Sequence, residues 1–539
     1  MHRTRLGIAA LSAVAALGLA ACGSNEPTTD TSGGSPASGT AGGPAGTLVV
    51  DKSFDLKTLD PARLYEPTGL IIARAIYDTL LTFPAGDVTR TEPLIASDMQ
   101  QSDDAKTYTF TIRDDAKFAD GAPVTAKDVV FSLRRVKHVK GSPSFLLDGV
   151  SISSPDPKTV VLESETPNAA IPAIAANPAL GIVQEKVVRA NGGDDSPQAA
   201  KKDKAEKFLN TTSAGSGPYE LERFSTTTQT SMKANAGYWG EAKPGYKRII
   251  VRNVAAPEQK LNVQRGDSQL ALDLSGDQVA GLEKTLQVQT TPSPNVVFLL
   301  ANASPKVSAV TSKPEFREAM RKAIDYPRFV ELGGRGATQA AGIIPSMFIG
   351  ALDEGDAPEQ DADAAKAAVE EGGLAGKAVK LEYPSDLTLN GLSFAPLAQR
   401  IQADLEAVGL KIELAPAPVA TALESYRAGK EELGLWYWGP DYPDPADYLV
   451  FTPGQLVGLR ANWQKGADPE LEDLAKQAAA TIGDERAPLY QDLQRKLNET
   501  SPFVPLMQPP SNLVAAKGVE GLTFNPTWTV DLAALRGGG

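Results

Sequence analysis

KAVKLEYPSDLTLNGLSFAPLAQRIQADLEAVGLKIEL, Lys377–Leu414, holds three patterns in one run. Val379, Leu381 and Tyr383 fall on one side of an extended segment and Lys380 and Glu382 on the other, the period of two that marks a half-buried strand. Phe394, Leu397, Ile401, Leu405 and Val408 then recur every three to four residues and give one apolar helical face, which stops at Gly409. Pro396 belongs in the first turn of that helix, where a missing N–H costs nothing. Lys411–Leu414 reads as a second strand. A helix between two strands carries the chain back to the end of the sheet it left, so the strands run parallel and this half of the chain is α/β.

Glu432–Trp438 reads as a third strand, since Trp, Tyr and Leu suit a pleated surface. It ends in LWYWGPDYPDP, Leu435–Pro445. Aromatic residues are 6% of the chain, yet four of these eleven are aromatic, beside three prolines and two aspartates. In sheets with parallel strands, ligands bind beyond the carboxyl ends of the strands. Trp438, Gly439 and Asp441 therefore stand where sites form. A plainer reading makes Asp441 a turn residue capping the next segment and Trp438 part of the core.

Outward from there, Val296–Leu300 reads as a buried strand and Lys313–Asp325 as a helix burying Phe316, Met320 and Ile324. Leu489, Leu493 and Leu497 mark a late helix, and Phe503–Met507 a last apolar strand. Earlier in the chain, Thr107–Arg113 alternates Tyr108, Phe110 and Ile112 with threonines, a half-buried strand. A turn at Asp120-Gly121 leads to a helix capped by Thr125, with Asp128 as box partner. There is no short internal repeat.

The chain opens with Arg3, Arg5 and an apolar run from Leu6 to Ala21, the layout of a secretory signal. As a helix that run reaches about 24 Å, short of the roughly 30 Å of a bilayer core. Leu19-Ala20-Ala21-Cys22-Gly23 resembles the lipobox of bacterial lipoproteins, which implies a lipidated Cys22 and a membrane anchor. Residues 1–21 are thus expected to be a signal peptide. Residues 22–46, nearly free of large apolar side chains, are expected to be a lipidated cysteine and flexible tether. The remainder is expected to be extracytoplasmic and soluble. It approaches 500 of the 539 residues, more than one core usually serves, so at least two lobes are expected.

Composition excludes much chemistry. Removing Arg3 and Arg5 leaves 51 basic residues against 66 acidic ones, a poor balance for nucleic acid. His2 leaves with the signal, so the mature chain has one histidine, His138, and one cysteine, Cys22. No zinc cluster, H-E-x-x-H helix or Cys–His dyad can be built from these. His138, in FSLRRVKHVK, is expected on the solvated surface rather than in a Ser-His-Asp triad. No catalytic residue, metal or cofactor is expected.

Several segments together resemble the family 5 extracellular solute-binding proteins, the peptide-binding components of ABC importers. They are TLDPARLYEPTGLIIARAIYDTLL, ASDMQQSDDAKTYTFTIRDDAKFADGAPVTAKDVVFSLRR, GSGPYELERF with NAGYWG, FREAMRKAIDYPRFV, LWYWGPDYPDP and LQRKLNETSPFVPLMQ, in the family's order. The resemblance implies a two-lobed periplasmic-binding-protein fold with a hinge of crossing strands. On it, residues 47–82 open the first lobe, 83–211 form an inserted subdomain, 212–292 return to the first lobe, 293–508 form the second, and 509–539 return again. It further implies that Asp441, three residues after Trp438, pairs with a peptide's α-amino group. The ligand main chain would lie between Tyr65-Glu66-Pro67 and Tyr437-Trp438-Gly439. Pro67 has no N–H for such a ladder. Some relatives carry an arginine three residues before the tryptophan for the peptide carboxylate; this chain has Leu435, and no carboxylate anchor is assigned.

The expected function is thus capture of short peptides and delivery to the permease and ATPase subunits of an importer, by a monomer anchored at the membrane. An oligosaccharide, metal chelate or opine on the same scaffold is the alternative, with Trp436, Tyr437 and Trp438 as stacking platforms for a sugar. A more remote one is a hydrolase using Asp441, Asp444 and Asp447 on glycans. Carboxylates three apart among prolines are more often turn formers, and no G-x-S-x-G motif is present. Asp444 and Asp447 are therefore expected to be structural.

Overall fold

The computed structural model describes residues 45–538; the apolar leader, Cys22 and nearly all of the tether lie outside them. The strands expected in the Lys377–Leu414 run are Ala378–Pro384 and Lys411–Ala417, paired in parallel along their length. Between them runs a helix, Phe394–Ala407, whose apolar face is buried. Gly409 turns the chain with φ +99°, a conformation that L side chains rarely adopt, and Val408 closes the helix just before it.

These strands form one flank of a six-stranded sheet in the order 338–339, 503–508, 296–301, 433–438, 378–384, 411–417. At its centre, Val296–Ala301 is buried along its whole length. Its alternate side chains serve two cores. Val297, Leu299 and Ala301 face one with Phe316, Ile401 and Leu435, while Val296, Phe298 and Leu300 face another with Trp436, Phe451 and Phe503. A strand covered on both sides needs no polar alternation, which is why it reads as an unbroken apolar run.

The other large sheet has seven strands, in the order 286–292, 510–516, 270–271, 45–52, 246–253, 229–234, 219–223. Two strands run from one sheet into the other. Leu286–Pro292 pairs antiparallel with Pro510–Ala516 in the seven-stranded sheet; a few residues away, Val296–Ala301 pairs antiparallel with Phe503–Gln508 in the six-stranded one. Between the sheets the pairing is bridged by Ser293 N–H donating to the Pro509 carbonyl at 2.8 Å. The Gln508 amide donates to the Ser293 carbonyl at 2.8 Å. The result is a two-lobed α/β molecule whose lobes share two adjacent crossings.

A four-stranded antiparallel sheet, 96–101, 107–112, 159–164 and 150–156, is inserted in the chain between two parts of the seven-stranded sheet. The helix Ala126–Val139 covers it, and Asp128 accepts from the Thr125 N–H at 3.0 Å as the capping box requires. His138 corrects the expectation of a solvated position. It is half-buried, with Nδ1 2.6 Å from the Asp195 carbonyl oxygen, because the segment after residue 190 folds back over the helix end.

The same helix buries Arg135, 1% exposed, between two buried carboxylates. Its guanidinium reaches Asp60 at 2.5 and 2.7 Å and Asp203 at 2.7 and 2.9 Å. Asp60 also accepts from the Ala62 N–H at 3.1 Å. The loop that leads to Tyr65 is thereby tied to the inserted subdomain by largely buried charge; Arg63 also reaches Asp60 at 2.5 Å and Asp203 at 3.0 Å, so losing Arg135 leaves two buried carboxylates to a single, partly exposed cation. Arg135→Met is expected to lower stability by about 3–5 kcal/mol, read as a lower urea midpoint. An unchanged midpoint would show that the network does not hold this loop.

Candidate functional site

A cavity of about 890 Å³ opens between the two large sheets. That is within the range of roughly 300–1,000 Å³ typical of small-molecule sites. On the seven-stranded side it is lined by Lys52, Tyr65, Pro67 and Asp273, and on the six-stranded side by Trp436, Tyr437, Trp438, Gly439 and Asp441. Asn177 of the inserted subdomain and Arg460 complete the wall used below.

The strand Leu433–Trp438 delivers the second group. One of its edges pairs with Val296–Ala301 along the whole strand. On its other edge, Ala378–Pro384 pairs only with Leu433 and Gly434. Among the described residues, Leu435–Trp438 thus has no strand partner on that side; Leu435 and Trp436 are buried, while Tyr437 and Trp438 are partly exposed at the cavity and leave a short edge within reach of an extended ligand.

Alternation decides where the aromatics go. Leu435 is 0% exposed, in the core shared with Phe316 and Ile401, so it does not present a side chain to the cavity. Tyr437 follows it toward that side and lies 6.3 Å from Phe394, ring centre to ring centre. Trp436 turns the other way, stacks on Tyr426 at 4.6 Å and donates its indole N–H to the Glu431 carboxyl at 2.8 Å. Burial pushes Glu431 up to about 8, so at neutral pH it is largely protonated. A Cβ at Gly439 would stand 2.4 Å from the Asn295 Oδ1, so a larger residue there requires the Asn295 side chain to turn away.

Asp441 is held through its main chain. Its carbonyl accepts from the Tyr65 hydroxyl at 2.5 Å and from the Asn177 amide at 3.3 Å, so both contacts come from outside the six-stranded lobe. Its N–H donates to Asp447 Oδ2 at 3.2 Å, and the Trp438 indole N–H donates to the same oxygen at 3.1 Å. Asp447 therefore fixes both the indole and the turn. Asp444 accepts from the Ala446 N–H at 2.9 Å and receives both Arg486 nitrogens at 2.6 and 2.9 Å. Asp444 differs from the other two: among the described residues it has a cation partner, while no cation pairs with the carboxylate of Asp441 or of Asp447. Burial pushes it up to about 6, with the Tyr65 hydroxyl acting in the other direction. Burial, and then the charge of Asp441, push Asp447 up as well.

Glu66 stands apart from the other expected site residues. It does not line the cavity; it precedes the helix Pro67–Ile76, pairs with Lys57 at 2.6 Å and accepts from the Tyr65 N–H at 3.3 Å. Pro67 occupies the first helical position, which accounts for a proline at this edge. Asn177, Tyr426 and Arg460 line the cavity, yet no local pattern marked them: each is brought in by chain packing from a distant segment.

Residues 90–455 match the family described as bacterial extracellular solute-binding proteins, family 5 Middle. The probable D,D-dipeptide-binding periplasmic protein of Escherichia coli (strain K12) is 30% identical, with 90% of this chain and 92% of that protein aligned. An ABC transporter substrate-binding protein of Listeria monocytogenes superposes with a TM-score of 0.79 at 19% identity, covering 92% of this chain and 100% of that one. A periplasmic binding protein associated with an ABC transporter of Helicobacter pylori, solved with the peptide STSA, gives 0.73 at 22% identity, covering 92% and 98%. Among the described residues, no helix is long and apolar enough to cross a membrane.

The raised Asp441 carboxyl carries a sign. A folded carboxyl that holds its proton more tightly than the unfolded one, near 3.9, favours folding at low pH. That contribution is lost as pH rises from about 4 through about 6. Asp441→Asn should flatten this part of the urea-midpoint profile measured between pH 4 and 7. A variant whose slope matches the wild type would show that Asp441 is not desolvated in the free protein.

Proposed function

The chain belongs to the bacterial extracellular solute-binding proteins of family 5, and on that premise we propose that it captures short peptides bearing a free α-amino group and passes them to an ABC permease. The carrying observation is the Asp441 carboxylate, half-buried at the cavity wall and paired with no cation among the described residues. An isolated buried charge is costly, and a ligand ammonium compensates it with a charge-assisted hydrogen bond. The unpartnered, partly exposed edge at Tyr437 and Trp438 supports the same reading, since main-chain pairing serves peptides of varied sequence. The D,D-dipeptide named for the Escherichia coli relative makes such compounds the first to try.

Binding needs no catalysis. Affinity comes from desolvation and from the contacts that Tyr65 and Asn177 make across the cavity when the lobes meet at Asp441. The lipobox-like segment ending in Cys22 supports anchoring at the outer face of the membrane, where a permease would receive the bound solute.

Titration calorimetry with alanyl-alanine, in its L,L and D,D forms, tests the site. N-acetylation of a bound dipeptide, or Asp441→Asn, is expected to weaken binding about 10- to 100-fold. Lowering the pH below about 6 protonates the free carboxyl and should weaken binding by up to about tenfold per unit. Equal affinity for free and acetylated dipeptides would overturn the amino-terminal role of Asp441. Native mass spectrometry of the tether-free protein would identify a retained sugar, chelate or peptide.

A further inference from the structure

Behind the aromatic wall of the cavity lies a buried carboxyl that peptide capture does not use. Glu431 is 1% exposed, and its main chain is pinned by the Asn302 amide, which donates to the Glu431 carbonyl at 2.8 Å. Three residues on, Gly434 stands in its strand between Leu300 on one side and Glu382 on the other. A Cβ at Gly434 would stand 2.3 Å from Glu431 Oε2, so the carboxyl fills the space that a side chain there would take. Oε2 receives the Trp436 indole N–H. Oε1 is buried too, and has no hydrogen-bond partner among the described residues.

Glu382 presents the matching gap. It is the neighbour of Gly434 in the parallel ladder, where adjacent strands lie about 4.8 Å apart. Leu381 and Tyr383 point into the opposite core, so Glu382 shares with the Glu431 carboxyl the face of Leu300 and Trp436. Its Oε2 is buried and likewise without a partner among the described residues. Burial raises both carboxyls; the charge of Glu382 raises Glu431 further, and that of Glu432 raises Glu382. The Trp436 indole opposes the rise at Glu431, and Lys380, on the same strand as Glu382, opposes it there. From above, the helix Val419–Arg427 packs on that strand and turns Tyr426 toward Glu431, with Arg460 over the Tyr426 ring at 4.7 Å.

Two buried carboxyl oxygens without donors, on one face and at adjacent ladder positions, call for a hydrogen between them. We infer that Glu431 and Glu382 share one proton beside Gly434, and that this acid pair is the support that positions the Trp436–Tyr426 wall of the cavity. A neutral carboxyl donates one O–H and a carboxylate accepts it, so a single proton satisfies both oxygens. Such a bond is charge-assisted, the stronger kind. Glu431 thereby keeps Oε2 fixed at the Trp436 indole, and Trp436 carries Tyr426 on its face at 4.6 Å. Loss of the proton leaves two like charges beneath the helix Val419–Arg427, which brings Leu423, Tyr426 and Arg427 to the cavity. The wall is firm at acid and neutral pH and loosens as the pH passes about 8. This holds whatever solute the cavity takes.

Urea midpoints between pH 6.5 and 9, above the Asp441 transition, test the pair with no ligand added. An unfolded glutamate ionises near 4.3. The folded pair therefore favours folding at low pH, and that contribution is lost as pH rises from about 4 through about 8. Between pH 6.5 and 8 the wild-type folding equilibrium should fall by about tenfold per unit more than that of E431Q, and then level off. In E431Q an amide N–H reaches Glu382 at every pH while the amide oxygen still accepts from Trp436. E382Q should lose the slope as well, because its N–H takes the place of the proton and Glu431 ionises earlier. E382M offers no donor and should keep most of the slope, because burial still holds the proton on Glu431. Near-ultraviolet circular dichroism, which reads aromatic packing, should change between pH 7 and 9 in the wild type but not in E431Q. Equal slopes in E382Q and E382M would overturn the shared proton, a comparison that stands even where E431Q folds poorly. A slope that survives in E431Q overturns Glu431 as its holder. A wild-type aromatic spectrum constant across the range overturns the role of the pair in the wall.

Discussion

Two neighbouring strand crossings constrain everything else in this molecule. Leu286–Pro292 continues into Val296–Ala301, and Phe503–Gln508 continues into Pro510–Ala516, so each pair is hydrogen-bonded in one sheet and again in the other. Backbone groups buried between the sheets still need partners. Ser293, Pro509 and the Gln508 side chain supply them over the few residues where neither ladder continues. The junction is narrow, so the lobes are joined by little chain, and the space beside it is left for a cavity. Because Val296–Ala301 is also the neighbour of Leu433–Trp438, the crossing places the aromatic strand at that cavity.

The charges around the cavity sort by whether the protein completes them. Asp444 and Arg486 satisfy each other through two hydrogen bonds, and Arg135 is satisfied by Asp60 and Asp203. These ties hold segments in place, and their worth lies in the cost of breaking them. Asp441 is different: it is a half-buried carboxylate without a cation. A binding protein gains by leaving such a group incomplete, because the ligand then supplies the missing partner and closure is coupled to recognition. Asp447 serves both classes, as a structural carboxyl that sets the position of Trp438 and Asp441.

Much of the second lobe was legible from residue order. The parallel pair around Phe394–Ala407, the buried central strand and the strand ending at Trp438 follow from hydrophobic period and from glycine and proline punctuation. These signals are local, because helix and strand periods are properties of neighbouring residues. The family resemblance brought Asp441 and Tyr65 into one hypothesis. It did not show that Glu66 turns from the cavity toward Lys57, nor that His138 is covered by the segment carrying Asp195. Both outcomes depend on packing between segments far apart in the chain.

Sequence by itself determined the α/β class, the acidic chain without a zinc or cysteine chemistry, and the concentration of aromatic and acidic residues at a strand end. It could do so because composition and periodicity need no knowledge of distant neighbours. Only the tertiary structure decided which face each aromatic of Leu433–Trp438 presents, which of the three nearby aspartates has a cation partner, and that Arg460 shares a wall with Trp438. A charge is paired or unpaired according to what packs against it. Tyr65, Asn177, Tyr426 and Arg460 come to this wall from four separate segments, and no local pattern can say that they meet.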